Sequence, residues 1–220
     1  MFEDPDALRE RLDSFVPPPS LLLVDFDGVV VDSEAIQHSA YSAALSPYGI
    51  ELSVDDFRRY IGSSEDEVLE RIQRDHVCEL DLASVREQRA VVLDAEFAAI
   101  PAPNWFVRPA LEWIERRRGT ARIVSAGHRH RITATLDRFG LADLVDAIHT
   151  VPEQPSGTTK ADLLDDCIST APAATVVIED NAAILAHASR KGCRTIGVRH
   201  AYNTGSELVA DITVSAQPAG

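Results

Sequence analysis

The chain has 220 residues, which is enough for one large hydrophobic core or for one core with a small additional domain. Its net charge of −14 argues against nucleic acid and against an anionic membrane surface as the main partner. Hydrophobic residues make up 45% of the chain, but no apolar run approaches the roughly 20 residues of a membrane span, so the composition indicates a globular protein without a membrane partner.

An amino-terminal arm, residues 1–19, precedes the first predicted strand. Apolar residues recur on one side of residues 4–16 and favour a short helix, and the three prolines at 17–19 end it as a stiff spacer. We interpret the arm as a packing element or a ragged terminus without a role in chemistry. Residues 21–24 then place four apolar side chains in a row, which predicts a buried strand of a parallel sheet.

Two carboxylates separated by one residue, Asp25 and Asp27, follow this strand directly. A strand has a period of two, so Asp25 and Asp27 are expected to point to the same side and Phe26 to the other. Gly28 then permits a turn that a side chain would disfavour. Open α/β sheets bind ligands at the carboxyl ends of their strands, so this motif predicts a ligand site at that edge.

The stretch 34–100 carries helical patterns and no strand pattern, which predicts a helical domain of about the size of a small bundle. One helix start is explicit, since Ser64 and Glu67 have the spacing of a capping box. The predicted helices cover residues 33–45, 54–60, 64–76 and 82–100.

After residue 101, short β-forming runs alternate with helical patterns, which predicts crossover units and a parallel sheet covered by helices on both faces. The fold class is therefore α/β. The predicted helices cover residues 109–118, 129–139, 160–168 and 182–190, and the predicted strands cover residues 121–124, 145–149, 175–178, 194–198 and 212–214.

Polar residues follow three of these strands or the loops after them. Ser125 ends the second strand, Lys160 opens a helix after a Pro- and Gly-containing loop, and Glu179 and Asp180 end the fourth strand. A lysine at a helix start opposes the helix dipole, which favours a functional reason for Lys160. The carboxylates of both strand ends would repel one another at one sheet edge without a cation. A hard divalent ion resolves this, and Mg²⁺ is the natural candidate.

The pattern Asp-x-Asp-Gly-Val-x-x-Asp-Ser, which begins at Asp25, resembles the first motif of the haloacid dehalogenase superfamily. It is most similar to the branch of sugar-phosphate phosphatases and β-phosphoglucomutases. The resemblance covers residues 21–214 and implies a Rossmann-like parallel sheet core, residues 20–33 and 101–220, with a helical cap, residues 34–100, inserted after the first strand.

The resemblance also implies catalytic roles. Asp25 is expected to attack phosphorus and form an aspartyl-phosphate, while Asp27 protonates the leaving oxygen and then activates water. Ser125, helped by the backbone at Ala126, is expected to bind the phosphate. Lys160 offsets the repulsion between the attacking carboxylate and the phosphate.

For Mg²⁺, the resemblance implies four ligand positions. Asp25 and Asp180 bind through their carboxylates, Asp27 through its backbone carbonyl, and Glu179 directly or through a water molecule. The chain is thus expected to be a Mg²⁺-dependent phosphatase of a small phosphorylated metabolite, with a sugar phosphate as the favoured class.

The cap is expected to contribute to substrate binding through four residues, which are Gln37, Arg59, Gly62 and Ser63. β-Phosphoglucomutases carry a lysine just before the loop glycine and an arginine three residues after it, where this chain has Ile61 and Glu65. The missing cations favour a phosphatase over a mutase. Arg58 or Arg59 could still anchor a second phosphate, so a phosphosugar mutase stays open, as does a catalytically idle binding relative.

The remaining expectations concern location and partners. The amino terminus lacks the basic and apolar parts of a secretory signal, and the three cysteines have no metal-ligand spacing, which favours a reduced cytoplasm with all three as small core residues. We expect a monomer or small homo-oligomer. Several histidines share no ligand spacing and receive no role, namely His38, His76, His149, His187 and His200.

Overall fold

Six parallel strands form one sheet in the computed structural model, which describes residues 4–15, 20–170 and 174–216. In chain order the strands are β1 (Ser20–Val24), β2 (Thr120–Ser125), β3 (Ala147–Thr150), β4 (Ala174–Glu179), β5 (Arg194–Arg199) and β6 (Ile212–Ser215). Their spatial order is β3-β2-β1-β4-β5-β6, and every neighbouring pair is parallel. The predicted α/β fold with a parallel Rossmann-like sheet is confirmed.

Strand β1 occupies the middle of this sheet because β2 pairs with one of its edges and β4 with the other. Its apolar run is buried, with each side chain from Leu21 to Val24 at most 2% exposed. The carboxyl ends of β1, β2 and β4 therefore lie side by side at one edge of the sheet.

The first strand ends at Val24, so the orientation that a period of two would give Asp25 and Asp27 does not apply. The reason is a tight turn, in which the carbonyl of Phe26 accepts hydrogen bonds from the N–H groups of Val29, Val30 and Val31. The shortest of these bonds, from the N–H of Val30, measures 2.8 Å.

Nine α-helices lie within the described residues, close to the predicted bounds. They are α1 (Pro5–Phe15), α2 (Glu34–Leu45), α3 (Val54–Arg58), α4 (Glu65–His76), α5 (Leu82–Ala99), α6 (Val107–Arg116), α7 (Arg129–Arg138), α8 (Lys160–Ser169) and α9 (Ala182–Arg190). Short 3-10 helices cover Ser46–Tyr48, Ala142–Leu144 and Val151–Glu153. In the part of the chain that the structure describes, no helix is long and apolar enough to cross a bilayer.

The contacts between residues divide the chain into two compact units. The sheet unit consists of Met1–Asp32 and Ala102–Gly220, as far as these ranges are described, and the helical unit is Ser33–Pro101. Within the helical unit, the capping box of Ser64 and Glu67 is present, as predicted. At the start of helix α2, by contrast, the side chain of Ser33 accepts no capping hydrogen bond from the backbone.

The arm joins the sheet unit through helix α1. Leu8 and Leu12 are buried, and the indole N–H of Trp113 on α6 donates a 2.7 Å hydrogen bond to Asp13 on α1. The predicted proline spacer at residues 17–19 lies outside the described residues.

Buried apolar residues from helices α8 and α9 cover one side of the central strands. This cluster includes Leu21 and Val177 from the sheet, and it holds two of the three free cysteines, Cys167 and Cys193. The expectation of a core position is wrong for Cys78, which is only half-buried because it follows the end of α4 in a surface turn.

Candidate active site

Three buried carboxylates converge where strands β1 and β4 end. Asp25 follows β1, Glu179 is the last residue of β4, and Asp180 comes next. Each offers an oxygen atom, and these atoms all lie within 4.8 Å of one another. The residues are only 7%, 1% and 5% exposed, so water screens their mutual repulsion poorly.

The side chain of Lys160 bridges two of these carboxylates. Its Nζ lies 2.7 Å from Asp25 Oδ2 and 2.6 Å from Glu179 Oε2. Lys160 is the first residue of α8, whose start is stabilised by a capping box between Thr159 and Asp162. The acidic Asp162 in the first turn offsets the unfavourable position of the lysine charge in the helix dipole.

The other oxygens of these two carboxylates are held by backbone N–H groups. Asp25 Oδ1 accepts a hydrogen bond from the N–H of Phe26 at 2.7 Å. Glu179 Oε1 accepts hydrogen bonds from the N–H groups of Asp180 and Asn181, at 3.2 and 3.0 Å. Both carboxylates are thus fixed in orientation before any ligand arrives.

The electrostatics of the cluster follow from burial and proximity. Burial, with the adjacent Glu179, raises the pKa of Asp25 well above its usual range, while Lys160 opposes that rise. Burial likewise raises the pKa of Glu179, to about 7, against the opposing effect of Lys160. Burial alone would lower the pKa of Lys160, but the two carboxylates outweigh it and raise that pKa. One ammonium group does not balance three buried acids, so a cation is favoured here.

Asp27 and Ser125 lie together at the end of β2, beside Gly127. A Cβ atom on Gly127 would lie 3.0 Å from Asp27 Oδ2 and 3.2 Å from Ser125 Oγ. Ser125 is fully buried, and its Oγ accepts a 2.9 Å hydrogen bond from the N–H of Gly127. Since that bond uses the oxygen as acceptor, the hydroxyl proton can be donated to another group. Ala126 lies exposed between these residues.

Gly28 allows the turn after β1 to lie close to Asp180, which follows β4. Its φ of +73° is in the left-handed region, which favours glycine. A Cβ atom there would lie 2.5 Å from Asp180 Oδ2 and 3.4 Å from His200 Nε2. Any side chain at this position would therefore displace the Asp180 carboxylate.

His200 and Asn203, which both follow β5, contact Asp180. Sequence reasoning left them without a role. His200 Nε2 lies 2.8 Å from Asp180 Oδ2, and the amide of Asn203 donates to the Asp180 carbonyl at 3.2 Å. Their position could have indicated this contact, because His200 directly follows a strand and so lies at the same sheet edge as the acids.

The four predicted substrate residues outside this cluster lie in the helical unit. Gln37 accepts a 2.6 Å hydrogen bond from Arg89 through Oε1, and Arg59 forms an ion pair with Asp56 on its own turn. Gly62 has a φ of +80°, and Ser63 accepts a 3.4 Å hydrogen bond from Arg71.

Arg89 was missed by sequence reasoning, although it organises part of the helical unit. It forms a 2.7 Å ion pair with Glu65 and lies 4.2 Å from the centre of the Tyr41 ring. No local pattern indicates these contacts, because they join helices that are far apart in the chain.

The donor set of the carboxylate cluster fits a divalent metal ion. All three donors of Asp25, Glu179 and Asp180 are carboxylate oxygens, and hard cations such as Mg²⁺ prefer oxygen ligands. Nitrogen and sulfur ligands, which would favour zinc, are not members of this group among the described residues. The geometry therefore supports a divalent-metal site at this sheet edge.

Comparisons with known proteins relate this chain to one family. The family model described as haloacid dehalogenase-like hydrolase matches residues 22–198. A phosphorylated carbohydrates phosphatase from Thermotoga maritima is 25% identical over 196 residues, covering 86% of this chain and 89% of its own.

Solved structures share the fold. β-Phosphoglucomutase from Clostridium difficile has a TM-score of 0.73 at 18% identity, with 89% of this chain and 90% of that chain covered. A variant of CbbY from Rhodobacter sphaeroides, in complex with xylulose-(1,5)bisphosphate, has a TM-score of 0.72 at 16% identity, with 88% and 92% covered.

Proposed function

Because this chain belongs to the haloacid dehalogenase-like hydrolases, we propose that it is a phosphatase that hydrolyses sugar phosphates with Mg²⁺ through an aspartyl-phosphate on Asp25. The observation that carries the proposal is the buried contact of Lys160 with Asp25 and Glu179 beside Asp180. The name of the Thermotoga maritima relative supports a phosphorylated carbohydrate as the substrate class.

In this proposal Asp25 is the nucleophile. Its Oδ1 is held by the N–H of Phe26, which leaves Oδ2, now paired with Lys160, to attack phosphorus. Lys160 stays beside the attacking oxygen and offsets its repulsion from the phosphate. Ser125 donates its hydroxyl proton to a phosphate oxygen, and the N–H groups near Ala126 are proposed to assist.

Asp27 is the proposed general acid and base. Its carboxylate lies near Ser125, on the side of the site where the phosphate would bind. It protonates the leaving oxygen of the sugar in the first step and removes a proton from the attacking water in the second.

Four residues would hold Mg²⁺. Asp25 and Asp180 would bind it through their carboxylates, Asp27 through its backbone carbonyl, and Glu179 directly or through a water molecule. When bound, the ion supplies positive charge that offsets the repulsion between carboxylates and phosphate. Glu179 is held by Lys160 and two backbone N–H groups, which favours a contact through water for this residue.

The helical unit is proposed to act as a substrate-specific cap, with Gln37, Arg59, Gly62 and Ser63 as contacts. Two features of this unit favour a phosphatase over a mutase. Arg58 and Arg59, the candidate anchors for a second phosphate, are each paired with an aspartate three residues earlier. Glu65, at the position of the mutase arginine, is itself paired with Arg89.

A two-part assay tests the proposed reaction. p-Nitrophenyl phosphate is expected to be hydrolysed with Mg²⁺ and not in EDTA, which also excludes an idle binding relative. β-Glucose 1-phosphate with catalytic glucose 1,6-bisphosphate is then followed for free phosphate and for glucose 6-phosphate. Rapid isomerisation with negligible phosphate release would establish the mutase alternative for that substrate.

The stabilisation of the fold by Mg²⁺ is expected to depend on pH, because Asp25 and Glu179 have raised pKa values. A carboxyl whose pKa is higher in the folded chain stabilises the fold at low pH, and this contribution is lost as the pH rises through its folded pKa, about 7 for Glu179. The metal requires the ionised carboxylates and competes with these protons. We expect Mg²⁺ to raise the unfolding temperature more at about pH 7.5 than at about pH 5.5.

Thermal unfolding in Mg²⁺ and in EDTA at both pH values measures this difference. Asp180→Asn, which removes a proposed ligand, is the control and is expected to lose most of the Mg²⁺ effect at either pH. Equal Mg²⁺ effects on the wild-type chain at the two pH values would contradict the expectation.

A further inference from the structure

We infer that His200 is a positioning residue for the metal ligand Asp180, which it orients through a hydrogen bond to one carboxylate oxygen. The inference rests on the proposed metal-dependent function and extends it to a residue outside the ligand set. His200 is not a member of the carboxylate group that could hold the ion, as far as the described residues show. It would therefore act through Asp180.

The contact between His200 and Asp180 is short and buried. His200 Nε2 lies 2.8 Å from Asp180 Oδ2, and the two side chains are 0% and 5% exposed. A buried carboxylate oxygen that loses its partner carries a desolvation penalty, so this pairing is strongly preferred over alternative orientations of Asp180.

The backbone selects the ring tautomer. The N–H of Tyr202 donates to His200 Nδ1 at 3.3 Å, so Nδ1 is the acceptor nitrogen. In the neutral ring the proton then resides on Nε2, and this N–H donates a hydrogen bond to Asp180. The imidazole is thus held in the form that a carboxylate requires.

Asn203 ties the histidine and the aspartate to one side chain. Its Oδ1 accepts from the N–H of His200 at 3.1 Å, while its Nδ2 donates to the carbonyls of Val198 and Asp180, at 2.8 and 3.2 Å. The turn after β5 is therefore tied to the end of β4 through the backbone of both His200 and Asp180.

Gly28 supplies the space for this pair. Because a Cβ atom there would meet both Asp180 Oδ2 and His200 Nε2, the hydrogen-bonded oxygen lies against the backbone of the first motif. The hydrogen bond from His200 therefore limits the rotation of the Asp180 carboxylate. Partners that orient a metal ligand in this way typically contribute 10-fold to 100-fold in metal affinity.

Two matched variants test the inference. In His200→Gln the amide nitrogen can occupy the position of Nε2, whereas in His200→Asn the shorter side chain cannot reach Asp180. We expect His200→Asn to weaken Mn²⁺ binding roughly 10-fold to 100-fold and His200→Gln to stay within a few-fold of the wild-type affinity. Binding is measured from the electron paramagnetic resonance signal of free Mn²⁺, with displacement by Mg²⁺.

Thr195→Val is the structural control, because Thr195 is a buried polar residue at the other end of β5 whose hydroxyl forms its described hydrogen bonds with Asp211. It is expected to lower the unfolding temperature without changing Mn²⁺ affinity. If His200→Asn binds Mn²⁺ like the wild type, or if Thr195→Val weakens binding as much, the inference is wrong.

A measurement on the wild-type chain covers the case in which His200→Asn does not fold. Nitrogen-15 NMR of labelled histidine is expected to show the Nε2–H tautomer for His200, assigned by its loss in His200→Gln, and a shift when Mg²⁺ is added. An Nδ1–H tautomer would overturn the inference. If the wild-type chain itself binds neither Mn²⁺ nor Mg²⁺, the proposed function fails first, which these experiments distinguish from a failure of His200 alone.

Discussion

Asp25→Asn is expected to abolish turnover of every phosphomonoester while the chain still folds. The amide cannot attack phosphorus, and it is a poorer ligand for a hard cation. The fold should persist because burial and Glu179 already raise the pKa of Asp25, so removing its charge relieves repulsion. Lys160 keeps a 2.6 Å partner in Glu179.

Single-turnover assays with p-nitrophenyl phosphate, together with thermal unfolding, measure both expectations. Asp146→Asn is a matched control, because Asp146 accepts from the N–H of Ala121 near the beginning of β2, at the opposite edge of the sheet. It is expected to retain activity. Turnover by Asp25→Asn above the background of a mock preparation would remove Asp25 from its proposed role.

Asp27→Asn is expected to slow hydrolysis of a sugar phosphate by roughly 10²-fold to 10⁴-fold, the usual contribution of a general acid and base. Metal affinity should change little, because the proposed contact of Asp27 with the ion is through its backbone carbonyl. The leaving group provides a sharper test, since p-nitrophenolate departs without protonation. With that substrate the first step should be spared and the second slowed, so that phosphorylated enzyme accumulates.

Rapid-quench kinetics would then show a burst of p-nitrophenol followed by slow turnover. Mass spectrometry of the quenched protein is expected to find phosphate on Asp25. Equal slowing of the burst and of the steady state would contradict the role of Asp27 as the base for the second step. Wild-type rates with the sugar phosphate would contradict its role as the acid.

Local chemistry made the sheet and its acidic edge predictable. The apolar run before Asp25 and the β-forming run before Glu179 define two buried strands, and strand ends of a parallel sheet meet at one edge. Lys160 was predictable because a lysine at a helix start opposes the dipole and so needs another reason.

The rest of the site depends on contacts between distant segments. His200 shares no spacing with the acids, and it meets Asp180 only because β5 pairs directly with β4. Arg89 contacts Gln37 only because two helices of one unit pack together.

The central position of β1 has a consequence for biosynthesis. A ribosome makes this strand before either of its neighbours, and all of Ser33–Pro101 emerges before β2 begins. The helical unit is continuous in the chain, so its contacts can form early. The apolar run from Leu21 to Val24 instead waits without a sheet partner until Thr120 and its successors have been synthesised, which makes it a segment for nascent-chain chaperones to shield.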